Sequence, residues 1–141
     1  MSGAESLAVV ETRSKTLSVT IDAPFERAWE FIADAANLHL WTVDFALSRP
    51  HRKGDVWVVD TPRGPLDLFV ECDRRSGAID FHFGRDGRFR RSPSRLRRSG
   101  RGVVYSFTVQ EPDDIEPVVF ERLVANVSAE LARLRDLLED R

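Results

Sequence analysis

Hydrophobic and polar residues alternate along the first clear element of the chain. Leu17, Val19 and Ile21 are apolar and polar residues stand between them, which is the period of a strand with one buried face. After Pro24 the apolar residues recur at the three- and four-residue spacing of a helix. They are Phe25, Ala28, Trp29 and Ile32. We expect a helix of about ten residues here, with Asp22 as its N-cap.

A second short helix and six strands are predicted in the middle of the chain. Asp34 can cap the helix, which runs to Trp41. Beyond it, short alternating segments are separated by Pro, Gly and Asp turn signals, as in a series of strands. Their ranges are 43–49, 56–61, 66–70, 79–83, 89–98 and 103–109. Pro93 interrupts the fifth segment and indicates an edge strand or a bulge.

The C-terminal part of the chain returns to a helical period. Apolar residues follow that period over about 22 residues. They are Phe120, Leu123, Val124, Val127, Leu131, Leu134 and Leu138. Consecutive strands without helices between them form an antiparallel sheet, whose apolar face needs a cover. The pattern therefore predicts an α+β domain in which the long helix covers the sheet.

Size and composition describe one ordinary globular domain. The chain has 141 residues, of which 42% are hydrophobic and 31% charged, and this length suits a single core. We expect a flexible leader or an extra strand over residues 1–15 and the domain over residues 16–141. No apolar run reaches the roughly 18 residues of a membrane span, and the acidic N-terminal stretch is unlike a secretory signal. A cytoplasmic location without membrane insertion is expected.

Charge is unevenly distributed along the chain, although the net charge is only −2. Residues 85–101 contain eight arginines and one aspartate, whereas residues 111–141 contain nine acidic residues and four arginines. The Arg-rich segment is either a solvated edge strand or a surface for an acidic protein partner. Nucleic acid is not an expected partner, because aromatic residues scarcely interleave with the arginines.

Two stretches of the sequence resemble the START-like, or SRPBCC, superfamily of helix-grip proteins. The first is IDAPFERAWEFIADAANLHLW, which is similar to the opening strand and helix pair of that superfamily. The second is SPSRLRRSGRGVVYSFTVQEP with the later LARLRDLLED, which resembles the closing part of its polyketide cyclase/dehydrase-like branch. The resemblance implies a curved antiparallel sheet of about seven strands wrapped around a long C-terminal helix. It also implies a cavity between them for a small, mostly apolar molecule. No cofactor is expected.

Candidate ligand-binding residues follow from this resemblance and from the pattern. The expected apolar wall consists of Trp41, Trp57, Phe81, Phe107, Phe120, Val124 and Val127. Arg95 matches a position at which the resembled branch often has an arginine. If its side chain points inward, the guanidinium would hold a carboxylate, enolate or phosphate of the ligand. Tyr105 shares the apolar parity of its strand, and His39 precedes Trp41 at the expected rim of the cavity. Ordinary packing or surface roles are the alternative for each of them.

Asp80 and His82 form a second candidate, because residues two apart on a strand share a face. The resembled family often has adjacent Asp and His residues here, whereas Phe81 separates them in this chain. With Asp67 opposite His82, a carboxylate would orient the imidazole as a general base. The alternation with apolar residues favours a solvated outer position for His82 instead. No recognised metal-binding motif is present, and no metal is expected.

Three functions remain open at this point. Binding of a small, lipid-like or polyketide-like molecule is the first. A polyketide cyclase or dehydratase is the second, in which an arginine would stabilise an enolate and a neighbouring group would transfer protons. An adaptor that uses the Arg-rich strand is the third. The sequence leaves the oligomeric state open, a homodimer included.

Overall fold

The computed structural model describes residues 14–111 and 115–140. It contains an antiparallel sheet, two α-helices and a 3₁₀ turn after the first strand, and one long C-terminal helix. In chain order these are β1 Ser14–Ile21, α1 Phe25–Ile32, a 3₁₀ turn Ala35–Asn37, α2 Leu38–Trp41, β2 His51–Lys53, β3 Val56–Thr61, β4 Gly64–Asp73, β5 Ala78–Arg85, β6 Arg88–Ser92, β7 Ser94–Ser99, β8 Gly102–Gln110 and α3 Pro117–Glu139. The predicted α+β architecture is confirmed. The prediction for residues 1–15 falls on residues outside the described range, except for the two that begin β1.

The sheet has eight strands, one more than expected, in the order β1-β8-β7-β5-β4-β3-β2, with β6 paired to β5. All described pairings are antiparallel. The first strand lies beside the last, and their register places Leu17 opposite Phe107 and Val19 opposite Tyr105. The long helix α3 packs on β1, β8 and α2. It thereby covers the apolar face of the sheet, as the sequence predicted.

Pro93 divides the predicted strand 89–98 into two. Because proline has no backbone N–H, the ladder is interrupted there, and β6 and β7 pair separately with β5. Ser94 donates a hydrogen bond of 2.5 Å from its hydroxyl to the carbonyl of Ile79, which connects β7 to β5 at the break. Leu96 is 1% exposed, whereas Arg95 is exposed. The inner parity of β7 is therefore that of Leu96.

The prediction of a strand at residues 43–49 is wrong. Asp44 has a φ of 55°, in the left-handed region and outside the extended conformation of a regular strand. The backbone N–H of Val43 donates to a side chain of α3 instead of to a neighbouring strand. Leu47 is tied to the sheet through its N–H, which donates to the carbonyl of Asp60. These contacts make residues 42–50 an irregular loop, which we call the α2–β2 loop.

The helix ends agree only partly with the sequence pattern. Asp34 caps the 3₁₀ turn as predicted, because its carboxylate accepts a hydrogen bond from the N–H of Ala36 at 3.0 Å. Asp22 does not cap α1, whose N-cap is Pro24 without a side-chain hydrogen bond. The N–H of Asp22 donates instead to the carboxylate of Glu139 at the end of α3. That bond links the start of the first helix to the last turn of the long one.

Burial follows the predicted apolar stripes. The predicted α1 stripe is buried, and on α3 Phe120, Val127 and Leu131 are at most 9% exposed. Leu123 and Val124 of α3 are partly buried against the same core. Within the described residues, no helix is both long and apolar enough to cross a lipid bilayer.

Candidate functional site

The interior between the sheet and α3 contains a group of polar side chains that the surrounding core does not satisfy. Tyr105 of β8 is 0% exposed, and its ring meets that of Trp41 edge-on at a centroid distance of 6.4 Å. The Tyr105 hydroxyl and the Trp41 Nε1 are both buried and lack a hydrogen-bond partner among the described residues. Buried polar atoms are nearly always paired in native proteins. Two neighbouring donors without acceptors therefore need an explanation.

Glu130 is a third buried polar group next to these two. It lies on α3 at 8% exposure, and its carboxylate accepts a hydrogen bond of 2.8 Å from the N–H of Val43. Burial raises the pKa of Glu130 to about 7, although the bond from Val43 opposes the rise and the charge of Asp44 adds to it. A carboxyl group with such a pKa gains and loses a proton near neutral pH.

The charge of Glu130 acts on Tyr105. Burial raises the pKa of Tyr105, the nearby Ser94 side chain partly offsets that rise, and the charge of Glu130 adds to it. Ser94 lies close to the Tyr105 hydroxyl, but its own hydroxyl donates to Ile79 and the pair does not reach hydrogen-bond geometry. Tyr105 is therefore a neutral hydrogen-bond donor at every ordinary pH. Sequence reasoning found Tyr105 and Trp41 but missed Glu130. The available signal was its place on α3, three residues after Val127 and within the apolar stripe.

Aromatic and aliphatic side chains belong to the same core as Tyr105 and Trp41. Phe81 is 4% exposed, and its ring lies 6.3 Å from that of Phe107. Phe45 of the α2–β2 loop packs edge-on against Phe83 at 5.9 Å. Several inner residues keep partial exposure although they pack against the core, so solvent reaches part of the inner face. These residues are Trp57, Phe83, Phe107, Leu123 and Val124.

The structure does not place Arg95 in the interior. Its neighbours Ser94 and Leu96 are buried, and Arg95 itself is exposed on the outer face, opposite Ser106 of β8. The expectation that Arg95 points inward beside Tyr105 is therefore wrong. The alternation continues across Pro93: Arg91 lies on the outer face opposite His82, and Arg95, four residues later, lies on that face too. His39 is partly buried, and its Nδ1 has no partner among the described residues. It lies two positions before Trp41 and so on a different side of the short helix.

His82 lies on the outer face, as the apolar alternation favoured. Its cross-strand neighbour is Phe69, whereas Asp67 is opposite Gly84, so the expected contact with Asp67 is wrong. The ring of His82 stacks on Phe69, and its Nε2 lies 3.1 Å from a carboxylate oxygen of Glu71.

The arginines of residues 85–101 contact different parts of the protein. Arg98 lies over the ring of Phe25 at 4.2 Å and forms an ion pair with Glu26. Arg85 donates to backbone carbonyls of the β3–β4 turn, at Arg63 and Pro65. These side chains belong to separate local contacts.

Two depressions on the protein surface lie outside the sheet–helix interior. One has a volume of about 350 Å³ and lies between α1 and the end of α3, where Phe31 and Leu138 line it. The other, of about 280 Å³, lies on the outer face at the Pro93 break. Arg95 lines the second depression together with Asp80 and Arg91.

Comparison with known proteins supports the architecture. No protein-family model matches the sequence, and no curated protein matches it. Solved structures do match. XoxI from Bacillus cereus has a TM-score of 0.70 at 14% identity, over 90% of this chain and 96% of that one. The Aha1 dimer from Colwellia psychrerythraea has a TM-score of 0.70 at 12% identity, over 91% and 97% of the two chains.

A further match is DynU16, from the dynemicin biosynthetic locus. It has a TM-score of 0.66 at 19% identity, over 90% of this chain and 47% of that one. Together with the sheet order and α3, these likenesses agree with one architecture. The fold is a helix grip. At such identities the likeness establishes the fold alone, and function has to be argued from the site.

Proposed function

We propose that the protein binds a small, mostly apolar molecule between the sheet and α3. The observation that carries this proposal is the pair of buried donors without acceptors, the Tyr105 hydroxyl and the Trp41 Nε1. An unpaired buried donor costs about 1–3 kcal/mol. A ligand with a matching acceptor recovers that free energy when it binds.

The chemistry of the site suggests the class of ligand. An indole N–H is only a donor and a phenol donates readily, so both suit a carbonyl or hydroxyl oxygen at the end of the ligand. The surrounding Phe81, Phe107 and Val127 suit an aliphatic or aromatic body. A lipid-like or polyketide-like molecule combines an apolar body with such an oxygen. Small-molecule sites in proteins commonly have the matching lining, mostly apolar with a few convergent polar groups.

Access to this region is proposed at the α2–β2 loop. The bond from Val43 to Glu130 connects the loop to α3, and Phe45 packs on Phe83 beside the partly exposed inner residues. Release of the loop would uncover the inner face next to Trp41. A ligand that enters here meets the two donors after its apolar body has contacted the aromatic wall.

Native mass spectrometry of the protein purified from its own host tests the proposal. We expect a retained small molecule, or saturable binding from a library of hydrophobic carbonyl compounds. Tyr105→Phe and Trp41→Phe should weaken binding by about tenfold each, the equivalent of one lost hydrogen bond. Trp29→Phe is the matched control, because Trp29 stacks on Phe25 of α1. A ligand-free spectrum that stays unchanged with the library would contradict the proposal.

Proton-transfer catalysis is the second candidate, and Glu130 is the observation that favours it. A general base works best when its pKa is close to the working pH, and that of Glu130 is about 7. With Tyr105 and Trp41 donating to a ligand carbonyl, Glu130 would remove a proton from the neighbouring carbon, as cyclases and dehydratases require. Glu130→Gln should then abolish turnover while ligand binding persists. If Glu130→Gln lowers binding and turnover equally, Glu130 acts in ligand binding and the catalytic proposal is contradicted.

A further inference from the structure

Three metal-ligating side chains converge on the outer face of the sheet, away from the interior site. Glu71 of β4 lies directly opposite Asp80 of β5 in the register, and His82 follows two residues later on the same face. One ligand atom from each of the three lies within 4.8 Å of the other two. They are a histidine nitrogen and two carboxylate oxygens.

Neighbouring rings hold the histidine in place. The ring of His82 stacks on Phe69 with centroids 4.4 Å apart and planes 5° apart, and Phe69 meets Phe89 of β6 edge-on at 5.0 Å. The side chains of His82 and Asp80 are 15% and 18% exposed, whereas that of Glu71 is 72% exposed. All three residues thus stand on strands; the side chains of Asp80 and His82 are largely covered, and that of Glu71 is exposed and can change rotamer. Sites on strands keep their geometry better than sites on loops.

We propose that Glu71, Asp80 and His82 bind a zinc ion on the outer face of the sheet. Zinc accepts imidazole nitrogen and carboxylate oxygen at about 2.0–2.2 Å, and three protein ligands with one water complete a tetrahedron. Two ligands of a tetrahedral zinc lie about 3.4 Å apart. The three ligand atoms now lie within 4.8 Å of one another, so metal binding requires small side-chain rotations that draw them together. The imidazole favours zinc over magnesium or calcium, which prefer oxygen alone.

Arg91 competes with the metal for one of these ligands. Its Nε lies 3.2 Å from an oxygen of Asp80, and it stands opposite His82 in the β5–β6 register. The guanidinium supplies the positive charge that a cation would otherwise supply. Because the Arg91 side chain is 60% exposed, it can turn into solvent when the metal binds. The proposal therefore predicts opposite effects for variants at Arg91 and at the three ligands.

Isothermal titration calorimetry of the full chain with zinc chloride tests the site, after any histidine tag has been removed. We expect one saturable site. His82→Ala and Glu71→Gln should each lower the zinc affinity by at least about tenfold. Loss of a residue that only supports a metal ligand already costs about that much, so loss of a ligand should cost no less. Arg91→Ala should strengthen zinc binding. His51→Ala is the matched control and should have no effect, because His51 lies on β2, exposed and away from the cluster.

Two results would overturn the proposal. One is the absence of saturable zinc binding by the unaltered chain. The other is an affinity that His82→Ala and Glu71→Gln leave unchanged, which would place any bound zinc elsewhere. Since loss of the His82 ring also removes its stacking on Phe69, Glu71→Gln serves as the second variant. It keeps the size of an exposed side chain and leaves the aromatic contacts in place.

Discussion

The carboxylate of Glu130 in α3 accepts a 2.8 Å hydrogen bond from the backbone N–H of Val43 in the α2–β2 loop. The two residues are 87 positions apart in sequence, and their contact joins α3 to the loop that follows Trp41. Asp44, next to Val43, has a left-handed backbone and adds to the rise in the pKa of Glu130. A buried titratable group thus connects the loop to the helix.

Stability should fall as the pH rises from 4.5 to about 7. The pKa of Glu130 increases from 4.5 to about 7 on folding, so between these values the folded chain holds a proton that the unfolded chain has lost. The resulting contribution is about 3 kcal/mol, complete below pH 4.5 and lost as the pH rises through 7. Urea denaturation from pH 4.5 to 8 measures it.

The matched variants for this prediction lie on the same helix. Glu130→Gln keeps an acceptor for Val43 but does not ionise, so it should remove most of the pH dependence. Glu121→Gln changes an exposed glutamate of α3 and should leave that dependence as it is. An unaltered slope in Glu130→Gln would show that another group is responsible.

Tyr105→Phe should stabilise the free protein. The hydroxyl is buried without a partner, and its removal ends the cost of an unsatisfied group, about 1 kcal/mol. Thermal or urea unfolding of the ligand-free protein checks the sign. A loss of stability would mean that the hydroxyl is bonded in solution, with Ser94 as the neighbour to examine in a double-mutant cycle.

Gly77→Ala should destabilise the protein by several kcal/mol. The backbone of Gly77 has a φ of 81°, and a Cβ there would collide with the backbone carbonyl of Leu96. That backbone cannot move away, because the N–H of Leu96 donates to the carbonyl of Gly77 at 2.8 Å. Gly87→Ala is the control. Its φ of 77° is similar, but a Cβ meets nothing within 4 Å, so only the conformational cost of about 1 kcal/mol applies.

Urea denaturation gives the free energy of unfolding of both variants. The difference between them measures the cost of the clash at Gly77, where β7 closely approaches the β4–β5 turn. Equal losses in the two proteins would show that the backbone angle alone matters at Gly77.

Arg95→Ala should leave ligand binding unchanged. Arg95 is exposed on the outer face, and the proposed ligand site is on the inner one. Arg97→Ala, on the same strand and likewise exposed, is the control. Titration of a library compound that the unaltered protein binds would give equal dissociation constants for all three proteins. A specific loss in Arg95→Ala would place the polar end of the ligand on the outer face.

Elements with strong periodicity could be predicted from the sequence. The alternation of β1 and β8 and the stripe of α3 each depend on local spacing, and the structure contains all three. The loop around Asp44 could not be predicted, because its backbone is set by the contact of Val43 with a residue in α3. Local alternation of apolar and polar residues there resembled a strand.

The candidate site was predicted in its apolar part and only partly in its polar part. Trp41 and Tyr105 have the large apolar surfaces that the pattern places in the core. Glu130 was missed because glutamate is rarely buried. Its residue type therefore argued against the buried position on α3 that the helical spacing indicated. The prediction for Arg95 failed because the sequence did not reveal whether Pro93 marks a bulge, which would have reversed the face of every residue after it. The structure shows that the alternation continues unchanged from Arg91 to Arg95.

The break at Pro93 sets β6 apart from β7. β6 pairs with β5 alone in the sheet order, whereas β7 takes its register from β8 and its position from Gly77 and Ser94. Residues added at the Asp86–Gly87 turn would lengthen β5 and β6 together without a shift in β7 or β8. The hairpin tip is therefore the place at which this protein can accept an insertion, a fused label or a new recognition loop while its interior keeps its shape.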